Sequence, residues 1–186
     1  MRPPPGKGRI AVAFGYGVLC HAIFGLAVLA MIAAMFFGMS RSFGTLPAPW
    51  SWLANVVLIV QFPLAHSVLL SKRGGRMLSW LAPQIYAGTL ATTTYALVAS
   101  VQLLALFTLW TPSGVIWWQA EGLAFWVMCT LYAAAWLLLM KASFDAGAEV
   151  QSGALGWMSL AQNIKPVFPD MPTTGLFRIM RQPIYL

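Results

Sequence analysis

The chain has 186 residues, 60% of them hydrophobic and 8% charged, with 11 Lys and Arg against 4 Asp and Glu for a formal net charge of +7. Soluble domains carry about 25% charged residues. One domain of this length has no soluble core large enough to hide so much apolar surface, so lipid is the expected solvent. The bases lie in short segments beside apolar runs, which fits membrane orientation and argues against a nucleic-acid partner.

A short basic arm with Arg2, Lys7 and Arg9 opens the chain. Residues 10–38 then run apolar without a charge, long enough to span a bilayer with tilt, since about 20 apolar residues suffice. The small residues at Ala30–Ala34 resemble a cleavage site, but the apolar region is far too long for a signal peptide. A loop with Arg41, two prolines and Trp50 leads to a second span, 52–70. The stretch 71–84 reads as a polar turn with Lys72, Arg73 and Arg76, and 85–110 as the third span. A loop with Pro112, Trp117 and Trp118 precedes the fourth, 122–140, which ends at Lys141.

The fold class is therefore all-α: a polytopic membrane helix bundle of about four spans, with residues 1–140 as the transmembrane domain. Basic residues alternate by loop, which predicts a cytoplasmic N-terminus and a cytoplasmic segment 141–186 in a bacterial-type inner membrane. Trp50, Trp52, Trp117 and Trp118 would form an outer aromatic belt, with Trp80 as its inner counterpart. Gly88, Thr92, Ala96 and Ser100 recur every four residues and predict a ridge of small side chains where a helix approaches closely. In the last segment, 143–157 reads as a short interfacial helix, and 175–180 as the start of another, the beginning of a fifth span. Prolines 166, 169 and 172 break anything longer between them.

Few residues can carry chemistry. His66, beside Ser67, lies about 6 Å along the helix from the end of the second span. An ionisable group there is costly and is a candidate catalytic residue, although a structural hydrogen bond explains it equally well. His21, in the middle of the first span, reads as structural. Either histidine could also ligate a tetrapyrrole metal. Gln61, Gln102, Thr92–Thr94, Tyr86 and Tyr95 fit interhelical hydrogen bonding. Asp145 and Glu149 are four apart and would share a helix face, as a solvated pair or as acid and base. Cys20 and Cys129 sit in apolar runs and read as small hydrophobes. No Cys/His spacing suggests a metal site.

The ending Gly175-Leu-Phe-Arg-Ile-Met-Arg181-Gln-Pro183-Ile-Tyr185-Leu is the most specific motif. It resembles the Arg-His-Pro-x-Tyr signature of the integral membrane methyltransferases, a superfamily that includes isoprenylcysteine carboxyl methyltransferases and NnrU-like methanethiol S-methyltransferases. The stretch Phe62-Pro-Leu-Ala-His66-Ser67 is similar to the early-helix Gln-His-Ser element of the NnrU-like group. The resemblance implies S-adenosylmethionine as methyl donor, with Arg181, Gln182, Pro183 and Tyr185 binding it. It implies a small thiol, a lipid or a lipidated cysteine as acceptor. Gln182 stands where the family has His. The resemblance also places further helices and acidic residues beyond the motif, so a polypeptide ending at Leu186 is expected to bind the donor more weakly than millimolar and not to turn over. The alternative function is a non-catalytic subunit of a photosynthetic or respiratory membrane complex, with other membrane subunits and lipids as partners.

Overall fold

The computed structural model describes residues 6–181 and Pro183. It is helical, and no strand occurs among the described residues. Four helices are long and apolar enough to cross a membrane: α1 (Lys7–Phe36), α2 (Trp50–Leu69), α4 (Ala87–Leu109) and α5 (Gly122–Asp145). The chain is thus a multi-pass membrane protein, with the four spans placed within a few residues of the sequence reading. Their outward faces are oily: Val18 is 69% exposed and Leu29 64% exposed. Apolar side chains exposed along whole spans suit acyl chains, which need no polar partner.

Between α2 and α4, where a polar turn was expected, the chain forms a further helix, α3 (Lys72–Trp80). The Ser71 side chain caps it by accepting a hydrogen bond from the Gly74 amide, which satisfies one of the orphan donors of its first turn. After α5 come a single turn, α6 (Ala148–Gln151), then α7 (Ala154–Gln162), and a 3₁₀ turn at Gly175–Arg178. The interfacial helix expected over 143–157 is therefore three pieces. Gly147 at φ +85° and Gly153 at φ +76° break it, because left-handed glycines end helices. Where a fifth span was expected to begin, the described residues hold only the 3₁₀ turn.

The chain divides into two compact units, Met1–Ser113 with Ser152–Val167, and Gly114–Gln151 with Phe168–Leu186. In the first, α1 packs on α4 through small side chains. Ala13, Cys20, Ala27 and Ala34 are all buried and lie seven residues apart, so one stripe of α1 allows close approach along its whole length. The buried residues of α4 are Ala87, Thr89, Leu90, Thr93, Thr94, Ala96 and Ser100, with Ala87 and Leu90 clustered against Ala13 of α1. The expected ridge is thus right from Ala96 onward. It shifts in the first turns, where Gly88 is exposed with open space around its Cα and Thr89 takes the buried place.

α7 fills the remaining side of this unit. A Cβ on Gly156 would lie 2.5 Å from Thr93 Oγ1, and one on Gly153 would lie 2.7 Å from the Ala96 Cβ. Thr93 Oγ1 donates to the Gly153 carbonyl at 2.6 Å and accepts from the Trp157 amide at 2.9 Å. At its other end Arg9 donates to the carbonyls of Leu160 and Ala161. A buried guanidinium therefore neutralises the negative end of the α7 dipole and takes up its unpaired carbonyls. Arg9, read from sequence as part of a basic arm, is a structural residue.

In the second unit, α5 exposes nearly all of its apolar surface; Ala142 is its one buried residue. The 3₁₀ turn docks on the end of α5, where Asp145 accepts a hydrogen bond from the Leu176 amide at 2.8 Å.

Candidate functional site

α2 and α4 run antiparallel, tied by polar contacts at three levels. Asn55 and Thr111 make a two-bond pair at one end, with Nδ2 donating to the Thr111 carbonyl and the Thr111 amide donating to Oδ1, both at 2.9 Å. In the middle Gln102 Nε2 donates to Gln61 Oε1 at 2.7 Å, while Gln61 Nε2 donates to the Gln102 carbonyl at 3.2 Å. The interhelical role expected for both glutamines is what the structure has. Such pairs satisfy polar groups that hydrocarbon cannot.

The third level is His66. Its Nδ1 lies 2.5 Å from Tyr95 Oη and shares one hydrogen with it. The imidazole sits between two aromatic rings, with centroids 5.6 Å from Phe62 and 5.2 Å from Tyr95. It is half-buried, and among the described residues its Nε2 has no hydrogen-bond partner. Pro63 lies inside the same helix one turn before it, where proline removes a backbone bond and loosens the helix. The result is an oriented imidazole with one nitrogen engaged and the other available. Sequence singled out His66 and named Tyr95 as an interhelical donor. It did not pair them, because α2 and α4 are connected through α3 and nothing local sets their register.

The other candidates fall out differently. His21 Nδ1 lies 2.9 Å from the Gly17 carbonyl one turn back, and its ring meets Trp157 edge-on at 5.9 Å, in keeping with its structural reading. Cys20 is fully buried and donates to backbone carbonyls of Thr93 and Ser152. Asp145 and Glu149 do not share a helix face, since α5 ends at Asp145 and the chain turns at Gly147 before α6. Asp145 is occupied by Lys141 and the Leu176 amide, so the expected carboxylate pair is replaced by a capping interaction. Gly175 is required there, as a Cβ would lie 2.3 Å from the Asp145 carboxylate.

Of the residues matching the cofactor motif, Arg181 is exposed and Pro183 is buried. Arg181 has no ion pair or hydrogen bond among the described residues. Gln182 and Tyr185 lie outside the described residues. His66 belongs to the first unit and Arg181 to the second.

No family model matches the chain, and no solved structure matches it. Curated proteins do. A methanethiol S-methyltransferase of Pseudomonas deceptionensis is 32% identical over 139 residues, which is 74% of this chain and 52% of that protein. Methanethiol S-methyltransferase 1 of Bradyrhizobium diazoefficiens is 26% identical over 180 residues, 94% of this chain and 62% of the relative. Methanethiol S-methyltransferase 2 of the same organism is 30% identical over 86 residues. The chain thus spans between half and two thirds of the length of the first two. It is a homologue of the methanethiol S-methyltransferases and a methyltransferase-like membrane protein, in keeping with the integral membrane methyltransferase family that its last residues resemble.

Proposed function

We propose that this protein transfers a methyl group from S-adenosylmethionine to a small thiol, and that His66 takes the thiol proton. The observation that carries the reading is the His66–Tyr95 pair at 2.5 Å. With Nδ1–H donating to the Tyr95 oxygen, the lone pair of Nε2 is free to accept a proton. A thiolate, not a thiol, is the effective sulfur nucleophile, so a base held by a second residue is what S-methylation of a thiol calls for. The relatives' names supply the thiol class.

S-adenosylmethionine, when bound, supplies a methyl group on a positively charged sulfur. The residues present fit it: Arg181 is exposed and unpaired among the described residues, so it can grip an amino-acid carboxylate through two parallel bonds. Asp145, engaged by Lys141 and Leu176, does not compete for that arginine. The basic arm and the bases of α3 support a cytoplasmic N-terminus and a cytoplasmic C-terminal segment in a bacterial inner membrane, on the side where a soluble donor is found.

Calorimetry of the full-length protein with S-adenosylmethionine tests the donor. Arg181→Ala is expected to cost about 2–4 kcal/mol of binding, as for a lost charge-assisted contact. Unchanged affinity in that variant would remove Arg181 from the site.

A further inference from the structure

We propose that α3 is a binding surface for anionic phospholipid headgroups. The helix is held rigidly on one side. A Cβ on Gly74 would lie 2.1 Å from the Val68 carbonyl, so the backbone of α3 rests directly on the end of α2. Leu78, one turn on, is 5% exposed. At about 100° per residue these two positions define the face turned toward the protein. Lys72, Arg73, Arg76 and Trp80 then fall together on the opposite arc, and all four are exposed.

No protein group answers these charges. The nearest carboxylate in sequence is Glu121, and Lys141–Asp145 is the one salt bridge among the described residues. Three cations on one side of a nine-residue helix, beside Met77 at 50% and Trp80 at 78% exposure, make a surface that is basic and apolar at once. Water alone does not suit it. A headgroup layer does, because an indole prefers that depth and basic side chains there attract anionic lipid. A nucleic acid would also answer the charge, but the long apolar spans on either side of α3 keep its exposed face at the level of the bilayer surface. Charge and depth together select a lipid with a net negative headgroup.

The helix is short, and its Gly74 and Gly75 are poor helix formers, so little of its order comes from propensity. Anchorage on α2 holds one face, and lipid phosphates would hold the other.

The test uses the whole purified chain, stripped of lipid in detergent, and native mass spectrometry with added phosphatidylglycerol or phosphatidylcholine. The expected result is a preference for phosphatidylglycerol of about tenfold, falling with salt, as three basic side chains near a charged headgroup would give. The variant Lys72→Gln/Arg73→Gln/Arg76→Gln should bind the two lipids equally, while its melting temperature without lipid stays that of the parent. A preference that survives in this variant, or is absent from the parent, would overturn the proposal. Inorganic phosphate competing as well as the lipid would assign the cations to a free anion instead, and would overturn it too.

Discussion

His66 is an ionisable group where a bilayer tolerates few, and its contact with Tyr95, 29 residues on in the chain, depends on the register of two helices. The same holds for Arg9, whose partners Leu160 and Ala161 lie at the far end of the sequence. Hydropathy ranks a residue by its own cost in lipid, and long-range hydrogen bonds decide what offsets that cost. A chemical test separates an orienting role for Tyr95 from a structural one. Tyr95→Phe keeps the ring and removes the oxygen, so the turnover rate should fall roughly tenfold, as when a catalytic imidazole loses the group that orients it. The KM for the thiol should stay near that of the parent. A fall in folded yield with an unaltered turnover rate per folded molecule would make the hydroxyl merely structural.

At the scale of the element, spans were easy to place and packing faces were not. Apolar runs of the right length mark α1, α2, α4 and α5 whatever their neighbours. Nearly every position in a span is apolar, however, so periodicity hardly distinguishes the lipid face from the protein face. Residue size carries that information instead. The seven-residue spacing of Ala13, Cys20, Ala27 and Ala34 marks the buried stripe of α1, and it was legible in the sequence to a search for small residues. On α4 the four-residue spacing found Ala96 and Ser100 and missed Thr89 and Thr93, because a packed stripe alternates steps of three and four. Two substitutions exploit the difference. Ala96→Leu must push into Gly153, whose position leaves no room for even a Cβ, and should cost about 1–3 kcal/mol. Gly88→Ala meets open space and should be neutral or stabilising by up to about 1 kcal/mol through helix propensity. Thermal melting in detergent checks both, and equal effects would contradict the shifted ridge. α3 escaped the sequence reading because its glycines and cations look like a turn. What makes it a helix is the Ser71 cap and the bed provided by the end of α2.

For the molecule as a whole, composition alone settled the solvent, and the resemblance of its last twelve residues pointed to methyl transfer, in line with its curated relatives. The proposed orientation rests on the alternation of basic residues and can be read by labelling single cysteines from either side. Positions with room for a side chain are needed. Gly44 and Gly74 are unsuitable, since a Cβ at either would strike backbone. Phe43 at 78% exposure and Trp117 at 93% are suitable in the two loops expected outside, and Gly75, with open space around it, is suitable on α3. Cysteines replacing Phe43 and Trp117 should react with an impermeant reagent added outside intact cells, and one at Gly75 only after lysis. Reaction at Gly75 from outside would invert the topology, and would move the proposed S-adenosylmethionine site away from the compartment that supplies that donor.

The central claim is thiol methylation with His66 as the proton acceptor. Membranes carrying the full-length protein, supplied with methyl-labelled S-adenosylmethionine and methanethiol, measure it directly by the labelled dimethyl sulfide released. The parent protein is expected to form that product, and His66→Ala to form it about 10²–10⁴-fold more slowly, the usual contribution of a general base. The deficit should shrink as the pH rises toward the thiol's own ionisation, because thiolate then forms without help. Product formed at the parental rate by His66→Ala at neutral pH, or no labelled thioether from a parent protein shown to bind the donor, would contradict it.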